Sequence, residues 1–424
     1  METMGSVQTF GLSNGMRVVC QRMAVPSISV GLWIGAGSMH ETAEENGCAH
    51  FLEHMLFKST EHRTAKQIAL EMDAVGGHMN AFTEKEDTCY YARIIPEHLP
   101  QTLALLSDLL ICPRLDQQEF ETEKGVILDE IAMTEDDPEE LAEDLAAQAF
   151  FGSHPLARPI LGHSAHISAI GRDALLAYRK RHYRPDNTVL SIAGAIPEAD
   201  RLLEMTEALF GSWAKGVPCE TDLPSVLKAP GLMVRERAFE QTQIVFCSPA
   251  PARDDPELPD AWALSMLLGE GNASRLFQRV RERMGAAYNV YSDIASYPGI
   301  GVFTIAAGTS PKEAPKVLRA LREELQLLIR NGVTEEEVRT AREQLRISCI
   351  LGDESSEDRM TVIGRSLLLR GRVKDTDETL KEIDGITRDG VMQMAERIFS
   401  KPFAAAAAGK GVRKLQIDLN PVKC

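Results

Sequence analysis

Nowhere in the 424 residues do about 18 uninterrupted apolar residues occur, the length a membrane-crossing helix needs. The opening residues, METMGSVQTFGLSNGMRVV, have neither the basic stretch nor the apolar core of an export signal, so no secretion and no membrane span are expected. Paired cysteines are missing too. Cys20, Cys48, Cys89, Cys112, Cys219, Cys247, Cys349 and Cys424 are scattered with no Cys-x-x-Cys, which speaks against a disulfide framework and for a reduced, cytoplasmic chain. Positive charge is in short supply: 46 Lys and Arg face 62 Asp and Glu, a net charge of −16. Phosphate recognition needs clustered cations, so a general nucleic-acid binder is not expected. Histidine is absent from the second half. His40, His50, His54, His62, His78, His98, His154, His163, His166 and His182 all lie in the first, so any imidazole chemistry belongs there.

What is present is the composition of a soluble globular protein, 44% hydrophobic and 25% charged, in a chain long enough for two or three domains. GMRVVCQ and SISVGLWIGAG read as strands, and a helix is expected over 46–58. KQIALEMDAVGG reads as a second helix with a glycine stop, HMNAFTEKEDTCYYARII as two strands joined by a polar turn, and further helices are expected over 97–111 and from about 117 to 132. Pro218, Pro224 and Pro230 sit in a stretch of little periodicity, which marks a linker at 216–231. On either side the text echoes itself. NAFTEKEDTCYYARIIPEHLPQTLALLSDLLI followed by LDQQEFETEKGVILDE has a counterpart in NVYSDIASYPGIGVFTIAAGTSPKEAPKVLRALREELQLLI followed by VTEEEVRTAREQLRIS, at a spacing of roughly 210–220 residues. The AAAAA run at 404–408 reads as a closing strand of the second copy. The expected fold is α+β: two tandem homologous α/β-sandwich domains from an internal duplication, 1–215 and 232–424.

The segment ENGCAHFLEHMLFKST poses the chemical question. In a helix His50 and His54 stand one above the other, with Glu53 on the same face and Leu52, Met55 and Leu56 left for a core. Two neutral imidazoles so placed can share one Zn²⁺, and a neighbouring carboxylate can take a proton from water activated by the ion. A pair of surface histidines is the plainer alternative, so a third ligand is needed. In EFETEKGVILDEIAMTEDDPEE, Glu119, Glu123 and Glu130 fall within a narrow arc of a helix. Alone, that stripe reads as a solvated acidic face; beside two imidazoles, one of its carboxylates becomes the natural third ligand.

HFLEH is the inverted zincin signature His-x-x-Glu-His. With NGCAHFLEHMLFKST, GGHMNAFTEKEDTCYYARI, HPLARPILGH, YRPDNTVLSIAG and GNASRLFQRVRERMGAAYNVYS in this order, the chain resembles the pitrilysin or insulinase metallopeptidase family, in its bacterial branch similar to mitochondrial processing peptidase. The resemblance implies that His50 and His54 bind zinc, that Glu53 is the general base, and that Glu130, some 76 residues beyond His54, is the third ligand. It implies a supporting role for Glu123, and that Asn80, Ala81, Phe82 and Thr83 lie on an edge strand that pairs with an extended peptide. Arg281 and Tyr288 match an Arg/Tyr pair that steadies the tetrahedral intermediate; without the resemblance they read as a helix-surface charge and a strand residue.

The second copy places Ser348 at the position of Glu130, so it cannot make the same site. Family members enclose peptides between four such domains, which implies a clamshell homodimer, or a heterodimer with a sister subunit, in which Arg281 and Tyr288 serve the partner chain. The implied activity is a zinc-dependent endopeptidase or oligopeptidase, with one zinc per chain, acting on unfolded and, given the acidic charge, basic peptides, with leader or targeting segments among them. The rival is a non-catalytic partner subunit, against which the intact His50, Glu53, His54 and Glu130 speak. Cys48 is expected to pack rather than ligate, His78 to lie on the surface, and Ser59, where the family commonly has Gly, to affect a turn.

Overall fold

Six strands build the first sheet: β1 (Gln8–Gly11), β2 (Arg17–Arg22), β3 (Ile28–Ile34), β4 (His78–Thr83), β5 (Thr88–Ile94) and β6 (Thr188–Gly194). The computed structural model describes residues 5–75, 77–217 and 231–422. Most of the expected 216–231 linker, Gly76 of the glycine stop, Cys219 and Cys424 lie outside those residues. The strand order is β1-β2-β6-β3-β5-β4, with β2 and β6 parallel and the other neighbours antiparallel. β4 is therefore an edge.

The sequence ISVGLWI of β3 is buried at every position because both of its faces are covered. Ile28, Val30, Leu32 and Ile34 join Phe51, Leu52 and Met55 of the helix Cys48–Leu56 in one core, while Trp33 packs with Val189, Met360, Ile363 and Leu367 on the other side. The helix Ser356–Arg370 comes very close there: a Cβ on Gly364 would stand 2.3 Å from Trp33 Nε1, and one on Gly31 2.3 Å from Met360 Sδ. Glycine at both positions lets helix and sheet touch at backbone distance.

The second sheet contains β7 (Leu232–Glu236), β8 (Thr242–Ala250), β9 (Ala287–Tyr297), β10 (Ile300–Thr309) and β11 (Ala404–Gly409), in the order β7-β11-β8-β10-β9. β7 and β11 are parallel and the rest antiparallel. Apart from β1, this is the order of the first sheet, strand for strand, as a duplication requires. The alanine run is indeed a strand, β11, and every one of its residues is buried.

The compact units do not follow the expected division into 1–215 and 232–424. One comprises residues 1–131, 158–223 and 351–375, the other 132–157, 224–350 and 376–424. Each sheet takes one covering helix from the opposite half of the chain: Ser356–Arg370 packs on β3 and β6, and Pro138–Phe151 packs on β11 and β8. An apolar helix face is stabilised by whichever sheet it covers, and sequence neighbourhood does not decide which. Among the described residues no helix is long and apolar enough to cross a membrane. Cys20, Cys48, Cys89, Cys112 and Cys247 are free thiols.

Candidate metal centre

The helix Cys48–Leu56 begins at a tightly held corner. Gly47 has φ +100, a left-handed conformation, and a Cβ there would meet Leu161 O at 2.7 Å. The N–H groups left without an intrahelical partner at this helix end find their acceptor in Glu41, whose carboxylate takes hydrogen bonds from Gly47 N (2.9 Å) and Ala49 N (2.7 Å), and also from Asn46 Nδ2 (3.0 Å). Burial pushes the Glu41 carboxyl up to about 8 against these donors, so the cap is held in a dry pocket. Nothing in the local spacing of Glu41 announces this role; it depends on the fold of residues 41–47.

One turn of this helix presents both imidazoles. The ring centroids of His50 and His54 are 4.5 Å apart, and their Nε2 atoms lie 3.8 and 3.6 Å from the same oxygen, Oε2 of Glu130, on the helix Gln117–Asp136. These distances are too long for hydrogen bonds. A tetrahedral ion with bonds of ~2.1 Å keeps its donor atoms about 3.4 Å apart, close to what the three atoms show. The oxygen is otherwise unexplained: Glu130 Oε2 is buried and has no hydrogen-bond partner. Two nitrogen donors and one carboxylate oxygen, itself a buried acceptor left unsatisfied, fit a divalent transition ion.

Charge is arranged to suit. Burial, with His54 second, pushes His50 down to about 4, which keeps this imidazole neutral and its lone pair free at neutral pH. Burial alone would lower His54 as well, but the hydrogen bond to Glu123 and the charges of Glu130 and Glu53 outweigh it and raise the value. His54 Nδ1 donates to Glu123 Oε1 at 2.8 Å, so its Nε2 is left to face Glu130. The other oxygen of Glu123 holds Lys58 at 2.6 Å. Burial opposes ionisation of Glu123, and the bonds to His54 and Lys58 overcome it and keep the carboxyl below its usual range. Glu123, expected in a supporting role, thus contacts His54 and Lys58.

Glu53 sits beside the ligands but turns elsewhere. Its Oε2 accepts a 2.6 Å hydrogen bond from Thr83 Oγ1 at the end of β4. Burial raises the Glu53 carboxyl; Thr83 and His54 oppose the rise and Glu130 adds to it. Thr83 was expected among the substrate-strand residues; its backbone is in β4, and its hydroxyl is taken by Glu53. Asn80 is exposed and its Oδ1 accepts from Ala81 N at 2.9 Å, so the Ala81 N–H is not bonded to a neighbouring strand. Phe82 packs edge-on against Trp33 at 5.8 Å.

The remaining expected residues separate cleanly. Glu119 accepts from Ser59 N and Oγ, so this carboxylate ties down the turn after the motif helix, the segment in which Ser59 was expected to matter. Cys48 is fully buried in the core, and His78 is exposed. Arg281 and Tyr288 belong to the second compact unit. Arg281 lies in the π-helical segment Phe277–Arg283, stacks on Phe277 at 5.2 Å and donates to the carbonyl of Tyr288; Tyr288 is 56% exposed on β9. Among the described residues, no comparable group of ligand side chains lies in that unit.

Two family models match the chain: insulinase (peptidase family M16) over residues 17–164, and the peptidase M16 inactive domain over residues 169–345. YmxG, an uncharacterized zinc protease of Bacillus subtilis, is 36% identical over 402 residues, 94% of this chain and 97% of that protein. An uncharacterized zinc protease of Mycobacterium tuberculosis is 39% identical over 406 residues, covering 94% of this chain and 92% of its own length. In fold, a protease from Helicobacter pylori of known crystal structure superposes with a TM-score of 0.87 at 21% identity, over 96% of this chain and all (100%) of that one. With the ligand-bearing residues inside the segment that the peptidase model matches, the chain belongs to the insulinase family of peptidases, M16.

Proposed function

We propose that this protein is a zinc endopeptidase or oligopeptidase that hydrolyses extended, unfolded peptides. The observation that carries the reading is the convergence of His50 Nε2, His54 Nε2 and Glu130 Oε2, with the carboxylate of Glu53 at its side and none of the four residues replaced. Zinc is the ion named for the relatives, and the donor set suits it. Zinc held by these three side chains supplies Lewis-acid polarisation of a carbonyl and acidification of water.

The chain's own residues do the rest. Glu53 takes a proton from the attacking water and returns it to the leaving amine, and Thr83 Oγ1 holds its carboxylate in one orientation. Glu123 keeps His54 in the tautomer that presents Nε2. The free edge of β4, residues Asn80 to Thr83, pairs with the peptide backbone, which makes side-chain selectivity loose. Arg281 and Tyr288 donate to the developing oxyanion of a second copy of the chain, in a homodimer that encloses the substrate. The charge of −16 favours basic peptides, leader or targeting segments among them, and the free thiols suit a reducing cytoplasm.

Metal analysis and cleavage of a quenched fluorescent peptide by the wild type and Glu53→Gln test this reading. Zinc in both proteins with activity only in the wild type supports it. Zinc in both with no activity toward peptides of any length or charge supports the rival, a non-catalytic partner subunit. Size exclusion over a range of concentrations tests the dimer.

A further inference from the structure

The segment that leaves the motif helix meets a second group of ligand-type side chains. Residues 59–61 and 112–114 run side by side: Arg114 N donates to Ser59 O at 2.9 Å, Glu61 N donates to Cys112 O at 2.9 Å, and Thr60 and Pro113 form an isolated bridge. This pairing sets His62 against the end of the helix Leu99–Ile111, where Cys112 follows the last turn and Asp108 lies one turn before it, its carbonyl accepting from Cys112 N at 3.0 Å. One donor atom from each of His62, Asp108 and Cys112 lies within 4.8 Å of the other two.

The carboxylate of Asp108 is divided between two tasks. Oδ2 accepts from Thr60 Oγ1 at 2.6 Å and from Arg63 Nη1 at 2.7 Å, while Oδ1 faces His62 Nδ1 at 2.7 Å. A loop brace built from Thr60, His62, Arg63 and Asp108 explains those bonds. It does not explain the thiol, because none of them uses Cys112 Sγ. The His62 side chain is 63% exposed and Cys112 is half-buried, so an ion can enter from solvent.

We propose that His62, Asp108 and Cys112 form a second metal site, separate from His50, His54 and Glu130, that takes a thiophilic divalent ion of the Zn²⁺ class. Mixed nitrogen, oxygen and sulfur donors select borderline-soft ions over Mg²⁺ or Ca²⁺, and three protein ligands leave one position for water. Arg63 and Thr60 grip one carboxylate oxygen and so aim the other, as outer partners do around metal ligands. Binding exchanges the thiol proton, released to solvent, for a sulfur–metal bond, and inserts the ion between His62 Nδ1 and Asp108 Oδ1 in place of their hydrogen bond, the imidazole then carrying its proton on Nε2. The ion must displace the His62–Asp108 hydrogen bond and lie beside the Arg63 cation held on the same carboxylate, so this site is weaker than the first.

Cobalt separates the two sites by spectrum. The full chain, freed of metal, is titrated with Co²⁺. Thiolate-bound cobalt gives an intense near-ultraviolet charge-transfer absorption that a His/His/Glu centre lacks, so the wild type should show that band and, separately, a weak visible band from the first site. Cys112→Ser should lose the near-ultraviolet band and keep the visible absorption of the first site, and His50→Ala with His54→Ala should keep the near-ultraviolet band. The visible band in Cys112→Ser doubles as its folding control. His62→Ala, at an exposed side chain, should weaken the thiolate site at least about tenfold. No near-ultraviolet band in the wild type at saturating cobalt, a band that persists in Cys112→Ser, or unchanged affinity in His62→Ala overturns the proposal.

Discussion

Thr83→Val removes one oxygen and leaves the shape of the side chain nearly unchanged, so it isolates the hydrogen bond to Glu53. That bond is 2.6 Å long, and it joins a hydroxyl buried at the end of β4 to a carboxylate that is itself buried. Thr88 Oγ1 stands 3.5 Å from Thr83 Oγ1 and already donates to Ala36 O, so it does not replace the lost donor. A hydrogen bond to a charged group contributes about 1.5–3 kcal/mol. At ~1.4 kcal/mol per tenfold in rate, this is a fall in kcat of roughly 10- to 150-fold. KM should change little, because the backbone of β4, proposed to pair with the peptide, is untouched and valine suits a strand. Steady-state kinetics on a quenched fluorescent peptide read both constants, and Thr83→Ser, which keeps the donor, should recover most of the rate. A kcat within twofold of wild type in Thr83→Val, or an equal loss in Thr83→Ser, refutes the positioning role.

Glu123→Ala should weaken zinc binding about 10- to 100-fold, read by competition with a chromophoric chelator, because His54 loses the partner that orients it. Gly364→Ala should lower stability by about 1–3 kcal/mol, read by denaturant unfolding, since its Cβ would meet Trp33 Nε1 at 2.3 Å; an unchanged midpoint would mean the helix Ser356–Arg370 does not press on β3 as described. Glu143 accepts a 2.7 Å bond from Tyr291 Oη, and burial first, then the charges of Glu139, Asp144 and Asp293, raises its carboxyl against that bond. An acid raised in the folded state is most stabilising while protonated, below its unfolded value, and that stability is lost as pH rises through the folded value. Glu143→Gln should therefore raise Tm at pH 7 and leave it nearly unchanged near pH 4, and a lower Tm at pH 7 contradicts the assignment.

The motif helix and its two imidazoles were legible because helical spacing alone places His50 over His54. Of the three carboxylates in the arc, the residues alone did not say which would ligate. The structure shows why: the contacts run backwards along the motif segment, Glu119 to Ser59, Glu123 to Lys58 and His54, Glu130 to His54 and His50, as expected of two antiparallel neighbours. All three lie on one stripe, and their height along the partner decides their roles. The bond from Thr83 to Glu53 and the cap by Glu41 escaped the reading because the partners are 30 residues away in one case and set by an irregular loop in the other. The exchange of the helices Ser356–Arg370 and Pro138–Phe151 between sheets was equally hidden, since an apolar helix face records that it is covered and not by which sheet.

Anomalous diffraction at the zinc edge, from crystals of the Glu53→Gln protein grown with one equivalent of zinc, tests the central claim most directly. The account predicts a single strong peak about 2.0–2.2 Å from His50 Nε2, His54 Nε2 and a carboxylate oxygen of Glu130. Zinc in the crystal with no peak among these three side chains would contradict it.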